Sequence, residues 1–336
     1  MGKYLALLLV CCFLCNKHAA AAIVETTKPY SYNNLTNDVL ELENKYSNVL
    51  TVTSIGKSEF GREIWGIKLG QGKKTILLVG AHHGREWLTS MLLMKMLETY
   101  ADAYEKKESV SSQSTAILNE TAIWFVPMLN PDGVIIQQHQ LATFPLKHQI
   151  HLQEMNDGCQ NFKRWKANGN GIDLNRQYPA DWDQLPKDPL TPYYKSYKGK
   201  KPLEAVEVQA LTNFIGEINP AVAVSYHSAG RELFWNYKNG RYLFRDYWIA
   251  RKIAKLTGYK LAKPEKEATG GGFTDWFITT YRRPALTIEI SYLVGETSPP
   301  LSIFKNEWNR NKLVGLKLAK EARKIPTDSF TKIHYR

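Results

Sequence analysis

The sequence predicts an α/β sandwich with a largely buried, mixed sheet. Short apolar runs typical of strands alternate with longer runs typical of helices over most of the chain. Polar residues suited to chemistry follow several of the strands, and functional sites in open α/β sheets gather at the carboxyl ends of strands. Since no Pro- or Gly-rich linker divides the 336 residues, we expect a single domain.

The first 22 residues have the pattern of a secretory signal. Lys3 precedes an apolar run at 4–14, and small residues suited to cleavage follow at 19–22. That run is shorter than the roughly 20 residues that span a bilayer, so we expect no stable membrane insertion. An uncleaved anchor is the alternative. We assign 1–22 to a signal peptide and 23–336 to the folded domain.

The net charge and the number of cysteines indicate what the protein binds and where it is located. The formal net charge of +12 favours an acidic partner, and for an exported protein an anionic cell wall is the best candidate. A charge that only keeps the protein soluble is an equal alternative, and the absence of a basic–aromatic array argues against nucleic acid. Beyond residue 22 the only cysteine is Cys159, so we expect a secreted or wall-associated bacterial protein without internal disulfides.

The first half of the chain begins with a helix and then turns to strands. Residues 37–46 predict a helix with a basic residue near its end. The alternating, β-branched runs at 49–55 and 63–69 predict two strands. The apolar run at 75–80 predicts a buried strand, and the apolar stretch at 88–104 predicts the helix that follows it.

A second buried strand is predicted at 122–129. It ends at Asn130-Pro131-Asp132-Gly133, which is a strong turn signal. From 137 to 197 the pattern becomes that of a loop rich in Asn, Gly, Pro, Trp and Tyr, and so long a loop in a compact domain is usually functional. A helix at 204–218 and a strand at 221–226, which ends at His227, come next.

The last part of the chain contributes one more strand between helices. Helices are predicted at 243–256 and 273–280. The apolar strand at 284–290 carries one acid, Glu289. A long helix at 304–324 closes the domain.

Three residues have the types and spacing of a zinc site. His83 and Glu86 stand three apart at the end of the strand at 75–80, and His227 ends another strand. A catalytic zinc takes three protein ligands of these types. A His-x-x-Glu pair alone is a weak pattern, a histidine at a strand end is more often an ordinary buried residue, and His82 leaves the choice of ligand open.

Other polar residues suggest a base and a substrate clamp. Glu289 lies inside an apolar strand, where an unpaired carboxylate is costly, so it is either a general base and acid or a structural carboxylate. Arg176 beside Asn175 can bind a carboxylate through its guanidinium fork. Arg85 could assist, and Asp173 could orient a ligand histidine.

The sequence resembles the carboxypeptidase A family of zinc metallocarboxypeptidases. The motifs that carry the resemblance occur in the family's order: Gly80-Ala81-His82-His83-Gly84-Arg85-Glu86-Trp87, Asn130-Pro131-Asp132-Gly133, Asp173-Leu174-Asn175-Arg176, Tyr226-His227-Ser228, Gly271-Gly272-Phe273-Thr274-Asp275-Trp276 and Thr287-Ile288-Glu289. The resemblance implies a single-domain sandwich with a central mixed, mostly parallel eight-stranded sheet flanked by helices. It extends from about residue 30 to 324, and it makes 23–336 a catalytic domain that we expect to be monomeric.

The resemblance also assigns roles to individual residues. It implies one Zn²⁺ per chain bound by His83, Glu86 and His227, with Glu289 as general base and acid. It implies that Asn175 and Arg176, assisted by Arg85, bind the substrate's terminal carboxylate, and that Thr274 lies where side-chain preference is set. Asp173 and Ser228 are expected to support the metal ligands.

The chain departs from the digestive members of that family at two points. Those members have an arginine after the tryptophan of the loop, whereas here Lys166 follows Trp165 and Arg164 precedes it, so either cation is a candidate to stabilise the oxyanion. The family's mobile tyrosine is missing, since Lys266, Glu267 and Ala268 occupy its expected place. The chain looks more like the bacterial branch that includes γ-D-glutamyl–diamino acid peptidases.

We therefore expect a secreted zinc metallocarboxypeptidase that hydrolyses an amide bond next to a free carboxylate in a peptide or muropeptide. A γ-D-glutamyl–diaminopimelate bond is a candidate substrate. Two alternatives are kept. One is an N-acyl amino acid deacylase, and the other is an inactive protein that binds cell-wall peptides.

Overall fold

The apolar run predicted at 75–80 forms a strand at the centre of a mixed sheet. In the computed structural model, which describes residues 22–263 and 269–327, eight strands of the described part form this sheet. In chain order they are β1 (Leu50–Lys57), β2 (Glu63–Leu69), β3 (Lys74–Val79), β6 (Thr121–Val126), β7 (Val222–Ser228), β8 (Glu232–Phe234), β9 (Lys260–Leu261) and β10 (Ala285–Ile290). A separate two-stranded ribbon consists of β4 (Ser109–Val110) and β5 (Gln113–Ser114).

The strand order across the sheet is β1-β2-β6-β3-β7-β10-β8-β9. The four central strands β6, β3, β7 and β10 are mutually parallel. β1 and β2 on one side, and β8 on the other, pair antiparallel with their inner neighbours. The carboxyl ends of β3, β7 and β10 therefore meet at one edge of the sheet, which confirms the predicted fold class.

Helices cover both faces of the sheet. They are α1 (Tyr32–Lys45), α2 (Leu88–Glu105), α3 (Pro131–Gln137), α4 (Leu146–Met155), α5 (Val206–Ile218), α6 (Leu243–Thr257), α7 (Phe273–Tyr281), α8 (Phe304–Asn311) and α9 (Val314–Ala322). One apolar core lies between the sheet and α1, α2, α6, α8 and α9. A second core lies between the other face and helices α5 and α7.

Alternation along the central strands decides which side chains face each core. In β3, Ile76 and Leu78 pack into the first core, whereas Leu77 and Val79 pack into the second. Because both faces of the sheet are covered, the sequence of β3 is a continuous apolar run. In β7 and β10 the even-numbered residues from 222 to 226 and from 286 to 290 pack into the first core, so the odd-numbered residues face the second core and the site beside it.

The predicted turn at Asn130 is also the start of helix α3. The Asn130 side chain caps the helix by accepting a hydrogen bond from the Gly133 amide (2.8 Å), and Pro131 occupies the first turn. The turn that follows β3 packs so closely on this helix that a Cβ added to Gly84 would lie 2.2 Å from the Gly133 carbonyl oxygen. Glycine at position 84 is required by this contact.

The long loop predicted at 137–197 contains helix α4 and several single 3₁₀ turns. Helix α4 has no buried apolar stripe, since Leu146 and Ile150 are exposed and only Leu152 is buried. The hydrophobic periodicity that reveals a helix in a sequence is therefore missing. The rest of the segment is irregular, as predicted.

The prediction of a single closing helix at 304–324 is wrong. The chain breaks it into α8 and α9 at Lys312 and Leu313. The Tyr100 hydroxyl donates a hydrogen bond to the Lys312 carbonyl (2.9 Å), which is thereby diverted from the helical ladder. A Cβ on Gly315 would lie 2.8 Å from the Tyr100 ring, so the start of α9 packs directly on this tyrosine.

Smaller differences occur at element ends and at the sheet edge. Helix α1 begins at Tyr32, earlier than predicted, because Ser31 and Asn34 form a capping box. Strands β8 and β9, which the sequence did not reveal, are three and two residues long. No helix in the described ranges is both long and apolar enough to cross a bilayer. The predicted signal segment, except for Ala22, lies outside the described residues.

Candidate active site

Three predicted metal ligands converge at the edge where β3 and β7 end. His83 follows β3, Glu86 lies in the 3₁₀ turn Gly84–Glu86, and His227 is near the end of β7. His83 Nδ1 lies 2.8 Å from Glu86 Oε1, and His227 Nδ1 lies 2.8 Å from Glu86 Oε2. The two Nδ1 atoms are 3.2 Å apart. One ligand atom of each residue lies within 4.8 Å of the others, and all three residues are buried.

This donor set fits a zinc ion. Two imidazole nitrogens and one carboxylate are the ligands that catalytic zinc prefers. The Nε2 atom of each histidine is engaged by another side chain, so the Nδ1 atoms, which face Glu86, are the ones that can bind a metal. His83 Nε2 lies 3.1 Å from Asp173 Oδ1, and His227 Nε2 lies 2.8 Å from Ser225 Oγ. Partners of this kind fix the orientation of metal-binding imidazoles.

The electrostatics of Glu86 and His83 suit a cation. Burial alone would raise the pKa of Glu86, but the neighbouring His83 and His227 hold that pKa well below its ordinary value. Burial lowers the pKa of His83, which favours its neutral form. A carboxylate and a neutral imidazole are the protonation states that bind metal. Burial alone would lower the pKa of His227, but the neighbouring Glu86 carboxylate holds that pKa above its ordinary value.

Asp173 lies behind His83, as the sequence predicted. Its two oxygens accept hydrogen bonds from the Asn175 amide (3.1 Å) and the Ser196 amide (3.2 Å) as well as from His83. Lys166 Nζ lies 3.1 Å from Asp173 Oδ2. Burial alone would raise the pKa of Asp173, but Lys166 and His83 hold it well below its ordinary value, so this buried group is a carboxylate.

A hydrogen-bonded chain behind His227 was missed by the sequence analysis. Ser225 Oγ bridges His227 Nε2 and His82 Nδ1 (3.1 Å), and His82 Nε2 lies 2.9 Å from the Tyr178 hydroxyl. The signal that could have found Ser225 is strand alternation, because residues two apart on β7 share a face. His82 is thus a buried partner of the site and not one of the three clustered ligands.

Ser228, which was predicted to support the ligands, has a different environment. It lines the cavity beside the metal centre. Its buried hydroxyl has no hydrogen-bond partner among the described residues. The structure therefore places Ser225, and not Ser228, against a ligand histidine.

Glu289 faces the same side of the sheet as His227. The two residues are partners in the parallel pairing of β7 and β10. Burial raises the pKa of Glu289 to about 7, with a further upward contribution from Glu86, whereas His227 acts in the opposite direction. A carboxyl group with a pKa near neutrality can both accept and return a proton.

A cavity of about 330 Å³ opens in front of these residues. All the predicted site residues line it except Arg164 and Asp173: His83, Arg85, Glu86, Lys166, Asn175, Arg176, His227, Ser228, Thr274 and Glu289. The sequence therefore predicted most of one continuous surface from residues up to about 200 positions apart. The roles of all these residues stay predictions.

The predicted substrate clamp lies beside the amino end of α7. Asn175 Oδ1 accepts a hydrogen bond from the Phe273 amide (3.0 Å), which anchors the loop to that helix. Arg176 Nη1 donates to the Asn175 carbonyl (3.0 Å) and lines the cavity. Thr274 Oγ1 lies 2.7 Å from Thr287 Oγ1, so its hydroxyl is already engaged.

The structure distinguishes between the two cations that are candidates to stabilise the oxyanion. Lys166 lines the cavity. Arg164 does not, because its guanidinium group is held by Asn156 and Asp157 and lies over the Tyr194 ring at 3.9 Å. The Arg164 carbonyl accepts a hydrogen bond from Arg85 (3.3 Å). Positions 266–268, where the missing tyrosine was expected, lie outside the described residues.

Comparisons with known proteins identify the class to which the fold and this site belong. Residues 36–312 match the model of a family described as zinc carboxypeptidase. The chain belongs to the zinc carboxypeptidase family, and it is a hydrolase of peptide bonds. The family is zinc-dependent, in agreement with the donor set described above.

Two bacterial relatives cover most of the chain. It is 32% identical over 301 residues to γ-D-glutamyl-L-diamino acid endopeptidase 1 of Lysinibacillus sphaericus, covering 88% of this chain and 73% of that protein. It is 29% identical over 259 residues to the uncharacterised protein YqgT of Bacillus subtilis, covering 76% of this chain and 68% of that protein.

Two solved structures have the same fold as this chain. Bovine thrombin-activatable fibrinolysis inhibitor, in complex with a tick carboxypeptidase inhibitor, superposes with a TM-score of 0.71 at 16% identity, covering 89% of this chain and 99% of that chain. Carboxypeptidase A of Helicoverpa armigera has a TM-score of 0.66 at 18% identity, covering 89% and 74%.

Proposed function

We propose that this chain is a zinc-dependent metallocarboxypeptidase that cleaves an amide bond next to a free carboxylate in cell-wall peptides. The observation that carries the proposal is the shared cavity. It brings the His83, Glu86 and His227 donor set together with a buried acid, Glu289, and a cationic clamp at Arg176. The L. sphaericus relative, named for γ-D-glutamyl-L-diamino acid bonds, supports the wall-peptide substrate.

The metal donors and Glu289 have separate chemical tasks in this reaction. Zinc held by His83, Glu86 and His227 supplies Lewis-acid chemistry, which polarises a carbonyl and acidifies water. Glu289 takes a proton from the attacking water and returns it to the leaving amine nitrogen.

The cations of the cavity hold and stabilise negative charge. The Arg176 guanidinium, with Asn175 beside it, binds the carboxylate of the residue that is released. Lys166, oriented by Asp173, lies where it can stabilise the charge that develops on the carbonyl oxygen. Arg85 adds a further positive charge to the lining of the cavity.

A digestion panel tests the substrate class. The protein is incubated with muropeptide stems that contain γ-D-glutamyl–diaminopimelate bonds, with ordinary α-linked peptides and with N-acyl amino acids, each with and without a chelator, and the products are read by mass. We expect release from the stems that the chelator abolishes. Cleavage of α-peptides only would overturn the wall assignment, and cleavage of acyl amino acids only would favour a deacylase.

An inactive wall-peptide binder is the remaining outcome of that panel. It would bind the stems and cleave none of the substrates after loading with zinc. The presence of all three donors and of Glu289 in one cavity argues against it.

We also propose that the protein is exported and acts at the cell wall, with residues 1–22 removed. The basic and apolar pattern of that segment and the net charge of +12 support this proposal. Amino-terminal sequencing of the protein from culture medium or from a wall extract should give a start near residue 23. Recovery only inside cells with Met1 retained would contradict it.

A further inference from the structure

One carboxylate of the cavity has no task in the proposed reaction. Glu232 is the first residue of β8 and lines the cavity. It is the direct antiparallel partner of Glu289 in β10. Residues directly opposite each other in an antiparallel pair project to the same face of the sheet, so Glu232 and Glu289 stand side by side on the wall that faces the substrate.

The other carboxylates of the lining are already used or enclosed. Glu86 belongs to the donor set, and Glu289 is the proposed base. Asp275 is largely buried and accepts a hydrogen bond from the Gly270 amide (2.7 Å). Among the lining residues that the structure describes, Glu232 is the acid left for a ligand.

Glu232 is only weakly satisfied by the protein. Its carboxylate accepts no hydrogen bond from the described part of the chain. Its one ion pair there is with Lys260, at 3.9 Å, and the Lys260 side chain is 77% exposed while that of Glu232 is 34% exposed. An exposed pair of this kind contributes little and is easily exchanged for another cation.

The lining of the cavity carries charges of both signs. Arg85, Lys166 and Arg176 supply positive charge that suits a carboxylate, whereas Glu232 lies next to Glu289 on the β8 side of the sheet. A substrate that carries both a carboxylate and an ammonium group near the scissile bond matches this arrangement.

We propose that Glu232 binds an ammonium group of the substrate beside the scissile bond and so selects peptides with a cationic residue at that place. This inference rests on the proposed peptidase function. The chemistry is that of a primary amine on a side chain, as in lysine or another diamino acid. The amine can belong to the residue that is released or to the residue before the bond, and the test separates the two.

The experiment uses zinc-loaded protein and two matched pairs of peptides. In one pair the released residue is lysine or norleucine, and in the other pair the preceding residue is varied in the same way. Norleucine keeps the length of the lysine side chain and lacks the charge. We expect wild-type protein to prefer lysine in one of the pairs by about two- to fivefold in kcat/KM, which corresponds to the free energy of a partly exposed ion pair.

Substitutions at Glu232 then test the assignment. Glu232→Gln should bring the ratio of lysine to norleucine close to one, and Glu232→Lys should lower it below one. Glu120→Gln is the control, because Glu120 is 55% exposed, pairs with Arg323 and does not line the cavity. It should keep the wild-type ratio.

The failures of the two proposals can be told apart. If wild-type protein cleaves the peptides without a lysine preference, or if Glu232→Gln keeps that preference, the role of Glu232 is overturned and the peptidase proposal stands. If zinc-loaded wild-type protein cleaves no peptide of any kind, both proposals are overturned.

Discussion

Replacing Asp173 by asparagine should weaken zinc binding while leaving the shape of the site intact. Four donors converge on this buried carboxylate: His83 Nε2, the amides of Asn175 and Ser196, and Lys166 Nζ. An asparagine side chain has one oxygen, so it can accept from only one side of this set and presents an NH₂ group to the other. In either orientation the negative charge behind His83 and Lys166 is lost.

The size of the effect follows from what the carboxylate orients. Loss of a partner behind a metal ligand typically reduces metal affinity by about 10- to 100-fold, which corresponds to roughly 1.4 to 2.7 kcal/mol. We also expect the free energy of unfolding to fall by about 1–3 kcal/mol, because donors at the buried site lose their acceptor. Catalysis should fall further than zinc occupancy alone explains, since Lys166 loses its anchor.

Competition with a chromophoric chelator measures the zinc affinity, and thermal unfolding of the metal-free protein measures the stability. Asp246→Asn is the matched control. Asp246 is also buried and also pairs with a cation, Arg245, but it does not line the cavity. This variant should lose stability and keep the wild-type zinc affinity. The reasoning is refuted if Asp173→Asn binds zinc within about twofold of wild type, or if Asp246→Asn weakens it equally.

Three further predictions follow from particular contacts. Ser225→Ala should weaken zinc binding by about tenfold or more, whereas Ser228→Ala, measured in the same competition assay, should change it little; equal effects would contradict the assignment of Ser225 to His227. Lys166→Met should lower kcat by about 100-fold, as loss of an oxyanion donor does, and Arg164→Met should not. Steady-state kinetics with zinc-loaded protein measures both, and a larger loss of kcat in Arg164→Met would contradict the assignment of Lys166. Burial, followed by the charge of Asp132, raises the pKa of Glu207 from 4.5 to about 8. Between these two pKa values the folded state holds a proton that the unfolded state releases. The free energy of unfolding should therefore fall by a few kcal/mol as pH rises from about 5 to 8. Glu207→Gln should flatten that decline in unfolding experiments, and an unchanged pH dependence would show that Glu207 is not its source.

The sequence was most informative where it places a polar residue whose burial costs free energy unless that residue has a partner or a function. A run of apolar residues that ends in histidine and glutamate predicted both the strand β3 and the position of the site. Glu289 stood out because a carboxylate inside an apolar strand needs a partner or a function. Both features depend on local composition, and the sheet then brings them together at one edge.

Contacts within irregular loops and between distant segments could not be predicted in the same way. Asn156 and Asp157 hold Arg164, and Asp173 orients Lys166, at separations of only seven or eight residues. A loop without a regular period gives no rule for which of its side chains meet. The break between α8 and α9 depends on the Tyr100 hydroxyl, about 200 positions earlier in the chain. The pairing of Glu232 with Glu289 requires strand β8, which at three residues is too short for an alternating pattern to be recognised.

Zinc content and activity of Glu289→Gln, measured on the same sample, test the central claim most directly. Glu289 is not one of the three clustered donors, so the variant should bind one zinc per chain, as metal analysis of the purified protein would report. Its kcat on the best peptide of the panel should fall by at least about 100-fold, the usual loss when a general base is removed. A variant that holds zinc and keeps full activity would contradict the assignment of Glu289 and the mechanism built on it.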